Sequence, residues 1–199
     1  RSELVRWTLR ARAAARDVMG TVETTAIDAR TTSVGLGYLV EKLALAADSG
    51  ADLAELVRIS HGIIPKIYGV FFIESMDYLE HSGRVGPAQA ALGEMLGIKP
   101  VLTLEDGEIM PMEKVRTRGQ GIEKLIEFAG EFTSLDRLTV LHSYPNGGAE
   151  TRLLLDRLAA EFPSVNCPTV LFKPSLAAQI GPHGLGVVVC EGPEDEGEL

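Results

Sequence analysis

Apolar positions set the elements before any single residue attracts notice. Leu4, Trp7, Ala11, Ala14, Ala15 and Val18 recur at helical spacing over residues 3–19, with arginines at 6, 10, 12 and 16 forming a basic, solvated face. The β-branched run Val22 to Asp28 predicts a strand. Helices are predicted from Ser33 to Asp48, and from Asp52, as N-cap, to Gly62. A boundary falls at Pro65-Lys66, and a strand at Tyr68 to Ile73 opens a second unit. Lys99 to Leu104 and Glu108 to Val115 pair as a hairpin around Asp106-Gly107, because Asp-Gly suits a tight two-residue turn. Further on come a helix over 120–132, a strand over 136–143, a helix over 149–161 and a strand over 166–172. Residues 174–184 form a loop or short helix, and Leu185 to Glu191 the last strand.

Alternating strands and helices make an α/β protein. The pattern divides it into an N-terminal α/β piece at 1–65, a complete C-terminal α/β domain at 66–192 and an acidic tail at 193–199. The first piece shows one strand, and a strand alone makes no sheet. The chain also begins at Arg1. Both features lead us to expect that the natural protein starts earlier.

Composition narrows the function. The 199 residues are 45% hydrophobic and 24% charged, which suits a globular core. Nineteen Lys and Arg against 28 Asp and Glu give a formal net charge of −9, which argues against a nucleic-acid binder. No apolar run approaches a membrane span, so no stable insertion is expected. Cys167 and Cys190 stand apart from any metal or disulfide spacing and read as reduced cytoplasmic thiols. The histidines at 61, 81, 142 and 183 fall in separate elements, and His61 suits a helix C-terminus. Gly35-x-Gly37 lacks the rest of a phosphate loop and reads as close helix packing. Glu74 and Asp77, at i and i+3, read as a solvated face, and no cofactor or metal is implied.

The stretch Phe71 to Pro100 is the most unevenly built. An apolar run ends in a polar segment, then Gly83-Arg84 forms a turn ahead of a small-residue helix over 88–96. Arg84 and Arg116 both suit capture of a carboxylate or phosphate, and both equally suit a surface or interdomain salt bridge. Arg118 lies two positions beyond Arg116. Gln179 to Gly186, QIGPHGLG, can bring backbone close to a ligand or simply make a tight turn.

Taken in order, these segments resemble the DegV family of bacterial fatty-acid-binding proteins. The resemblance rests on Ile27-Asp28 with Ser33 to Gly37, Tyr78-Leu79 with Ser82-Gly83-Arg84-Val85, and Leu96 to Leu102 with Asp106-Gly107. Lys114 to Arg118, Ile180-Gly181-Pro182 and Leu185-Gly186 complete it. It spans residues 10 to 192. It implies a two-domain α/β fold with a mixed sheet in the C-terminal domain and a lipid tunnel between the domains. It implies a non-enzymatic carrier that presents a long-chain fatty acid to a separate fatty acid kinase for acyl-phosphate formation, in the service of phospholipid synthesis. By motif match, Arg84, Arg116 and Gln179 lie at the head-group or kinase-facing end, supported by Gly83, Gly181 and Pro182. Two departures accompany the match. The family's hydroxyl-bearing segments that bind the carboxylate would precede Arg1, and Gln179 stands where many members carry His. Gln can hydrogen-bond a carboxylate but cannot become cationic. A small-molecule phosphotransferase with an arginine clamp, and a cargo-free regulatory module, are the alternatives.

Overall fold

The computed structural model describes residues 10, 13, 14, 17, 20, 23–81, 97–143 and 148–192. The predicted helices over 3–19 and 88–96, the Gly83-Arg84 turn and the acidic tail lie wholly or mainly outside these residues.

Helix α1, Ser33–Asp48, and α2, Leu53–Ile63, follow the periodicity closely. Asp52 caps α2, its side chain accepting from the Glu55 amide. A 3₁₀ turn, Ile64–Lys66, then delivers the chain to β1, Ile67–Phe72. A short helix α3, Asp77–His81, comes next. The hairpin β2, Lys99–Glu105, and β3, Glu108–Val115, turns through Asp106 at φ 50° and Gly107 at φ 80°. Two successive left-handed residues are what a two-residue hairpin turn requires, and Asp-Gly adopts them cheaply. Then follow α4, Arg118–Gly130; β4, Leu135–His142; α5, Ala149–Glu161; β5, Thr169–Leu171; α6, Pro174–Ile180; and β6, Leu185–Glu191.

The six strands form one mixed sheet in the order β3-β2-β1-β6-β4-β5. Only β4 and β5 run parallel, joined through α5. Pro111, which cannot donate to a ladder, sits on the edge strand β3. Alternation along the central strands separates two cores. Val70, Phe72, Leu138, Val140, Leu185 and Val187 pack under α4 and α5. Ile67, Phe71, Leu102, Leu141, Val188 and Cys190 face the other way, with Tyr38 and Leu39 of α1 and Leu176 and Ile180 of α6. The Tyr38 hydroxyl donates to Asp136 at 2.5 Å, fixing α1 on the sheet.

Two expectations are corrected. Glu23 to Asp28 form no strand: none of the six strands pairs with them, and β propensity without a ladder partner makes no sheet. The strand expected over 166–172 shortens to Thr169–Leu171, pairing only with His142, Leu141 and Val140. The 174–184 segment resolves into α6 and a turn.

The start of α4 is set by a capping box. Thr117 accepts from the Gln120 amide, and the Gln120 side chain accepts in return from the Thr117 and Arg116 amides. Thr117→Ala should cost about 1 kcal/mol of stability, read as a fall in the urea midpoint at unchanged slope.

Candidate functional site

A cleft of about 860 Å³ opens on the α1–α6 face of the sheet. Its floor is apolar: Phe71 from β1, Leu102 and Leu104 from β2, Ile109 from β3, and Leu176 and Ile180 from α6. These residues belong to or adjoin the second core, so the cleft is that core left uncovered along the hairpin. Its rim is polar. Asp28, Arg30, Thr31 and Thr32 form one side, Asp106, Gly107 and Glu108 the hairpin tip, and Gln179 looks in from α6.

The segment before α1 is bent over the hairpin tip. The Asp28 carboxylate accepts from the Arg30 amide at 3.0 Å, and Arg30 and Ser33 take φ of 50° and 54°. The Arg30 guanidinium donates to Asp106 at 2.6 Å. Both partners are exposed, so the pair contributes little energy and serves mainly to place the segment.

A second polar constellation sits where β1 ends and β2 begins. Arg118, at the start of α4, is its centre. Its Nε donates to Glu150 Oε1 at 2.7 Å and its Nη2 pairs with Glu150 Oε2 at 2.7 Å, a bidentate fork. Its Nη1 donates to Glu74 and to the His183 carbonyl, the latter at 3.2 Å. Lys99 pairs with the other Glu74 oxygen. The guanidinium lies 5.3 Å from the centre of the Phe72 ring. Burial would raise the Glu74 carboxyl, but bonds from Lys99 and Arg118 outweigh it and hold the carboxyl below its ordinary range. Burial likewise opposes the charge on Arg118, and Glu150 and Glu74 reverse that and strengthen it. Glu74 is therefore a paired carboxylate rather than a solvated face, and it lies in the bend after β1, before α3 begins.

The predicted site residues separate. Gln179 lines the cleft, and its amide has no partner among the described residues. Arg116 is exposed at the end of β3, outside the cleft lining, and makes no ion pair among the described residues. Gly181 takes φ 84° at the end of α6, where an added Cβ would stand 2.9 Å from the Tyr78 ring, so both conformation and space demand glycine. Pro182 follows it, exposed. Arg84 and Gly83 lie outside the described residues. Sequence reasoning missed the Asp28–Thr32 rim and the hub role of Arg118.

Burial pushes the Cys190 thiol up to about 12 and the Cys167 thiol up to about 11, so both stay protonated at neutral pH. Among the described residues no group of three His, Cys, Asp or Glu could hold a metal ion. No helix among them is long and apolar enough to cross a membrane.

Residues 8–192 match the family described as "Uncharacterised protein, DegV family". The chain belongs to the DegV family. Among curated DegV relatives, a DegV domain-containing protein of Streptomyces coelicolor is 31% identical over 164 residues, covering 82% of this chain and 58% of the relative. Protein DegV of Bacillus subtilis is 26% identical over 182 residues, covering 89% and 64%. The chain thus spans less than two thirds of the length of these DegV proteins. Solved structures share the fold. A fatty acid binding DegV family protein from Streptococcus agalactiae superposes at TM-score 0.79 with 24% identity, covering 92% of this chain and 65% of that one. A stearic acid-binding protein from Eubacterium ventriosum does so at 0.80 with 18% identity, covering 92% and 64%.

Proposed function

We propose that this DegV chain belongs to a cytoplasmic fatty-acid carrier, in which the acyl chain lies along the cleft and its carboxylate is offered to a separate fatty acid kinase. The observation that carries the reading is the cleft itself. Its volume falls inside the roughly 300–1,000 Å³ usual for small-molecule sites, and it combines an apolar floor with a few polar rim groups. Membership of a family with structures described as fatty-acid-binding supports the cargo. Gln179 supplies a neutral hydrogen-bond donor at the rim. Arg116, exposed and unpaired among the described residues, is available to an incoming partner or to charge building on the transferred phosphoryl group. Arg84 takes the same head-group or kinase-facing role by motif match. The kinase brings ATP and its metal, and the acyl phosphate feeds phospholipid synthesis.

Mass spectrometry of a lipid extract of the purified protein should show a co-purified long-chain acid, and addition of the protein should stimulate acyl-phosphate formation by a cognate kinase. Arg116→Ala should retain the bound acid while slowing the kinase-coupled rate at least tenfold. An empty protein that also fails to stimulate the kinase would reject the carrier.

A further inference from the structure

The strongest unassigned feature is the Arg118 hub. Four stretches of chain that are far apart in sequence meet on one guanidinium: the bend after β1 through Glu74, the start of α4, the first turn of α5 through Glu150, and the turn before β6 through the His183 carbonyl. Lys99, the first residue of β2, joins through Glu74. The aromatic face of Phe72 supports the group from the sheet. Arg118 is absent from the cleft lining, and each of its three nitrogens already has an acceptor, so it is not placed to hold a ligand carboxylate.

The turn it holds matters for what precedes it. α6 carries Gln179 into the cleft, ends at Ile180 and passes through Gly181 to His183 and then into β6. Tyr78 packs against the Gly181 end of this turn, and Arg118 fixes the His183 end by its carbonyl. A neutral amide binds a carboxylate only when distance and angle are right, because it has no long-range attraction to fall back on. Backbone displacement of half an ångström at the turn is enough to spoil such a contact.

We infer that Arg118 is a positioning residue for the head-group end of the site, holding the Gly181–Gly184 turn and thereby the aim of Gln179. The inference rests on the carrier reading. Lysine cannot replace it, since one ammonium cannot make the fork to Glu150 and also reach both Glu74 and the His183 carbonyl.

The test compares two ligands of equal alkyl length, oleic acid and oleyl alcohol, on wild type, Arg118→Lys and Glu150→Gln. Dissociation constants and unfolding midpoints are measured together. Arg118→Lys should weaken oleic acid about tenfold and leave the alcohol within twofold, because only the acid uses the aimed amide. Glu150→Gln keeps the arginine but loosens its fork, and should weaken the acid about threefold with the alcohol unchanged. It decides the matter if the lysine variant does not fold. Equal losses for acid and alcohol would reduce Arg118 to a structural tie, and unchanged acid binding in either folded variant would overturn the inference. Wild type that binds neither ligand would instead reject the carrier reading.

Discussion

Replacing Phe72 with alanine should lower the unfolding free energy by about 3–5 kcal/mol, among the largest losses a core truncation gives. Phe72 has no exposed surface. It pairs with Val101 on one side and Leu185 on the other, and its ring packs on the sheet's α4 face at the end of β1. The fit is close enough that a Cβ added at Gly121 of α4 would stand 2.2 Å from the ring. Such a site resists collapse around a deleted ring, because β2 and β6 flank it and α4 rests on top. The cavity therefore adds to the lost transfer energy. The same ring supports the Arg118 guanidinium, so the variant should also weaken binding of a carboxylate ligand. Urea unfolding measures the first effect. A loss under 1 kcal/mol would mean that α4 closes onto the sheet once the ring is gone. Gly121→Ala approaches the same contact from the other side and should destabilise by overpacking, about 1–3 kcal/mol.

Local chemistry was legible wherever one residue's neighbours in sequence are also its neighbours in space. The Asp106-Gly107 turn, the Asp52 cap and the limits of α5 and β6 follow from spacing alone. Glu23 to Asp28 misled for a physical reason: threonine and isoleucine favour extended backbone, but a strand exists only when another strand pairs with it. The site was harder still. Arg30 reaches Asp106 across 76 positions, and Arg118 reaches His183 across 65. No local pattern marks either contact. Arg116 and Arg118 illustrate the limit: they stand two residues apart and read alike in sequence. Thr117 caps the helix between them, so Arg116 points from the end of a strand into solvent while Arg118 starts α4 and turns into the hub. The KVRTR motif treats both arginines alike, and only the folded chain separates the exposed one from the one that is tied down.

For saturated fatty acids of increasing length, affinity should rise about fourfold per added methylene, because each buried CH₂ contributes about 0.8 kcal/mol and 1.4 kcal/mol is tenfold. Six added methylenes then give on the order of a 4,000-fold gain, larger than any polar rim contact can supply. The floor of Phe71, Leu102, Leu104, Ile109, Leu176 and Ile180 provides the apolar surface for this. The gain should stop at the hairpin tip, where Asp28, Asp106 and Glu108 replace hydrocarbon and where Arg30, the one cation among the described rim residues, is already engaged by Asp106. A methyl end arriving there meets carboxylates and water and gains nothing further. An anionic head placed there would be repelled, which favours the proposed placement of the head toward Gln179. Calorimetry across the series measures both slope and break, and the heat capacity change should become more negative with each methylene until the break. Affinity independent of length would put the ligand outside the cleft. A slope without a break would mean that the Asp28–Thr32 segment yields to longer chains, leaving its Arg30–Asp106 tie too weak to set a limit, as its exposure to solvent allows.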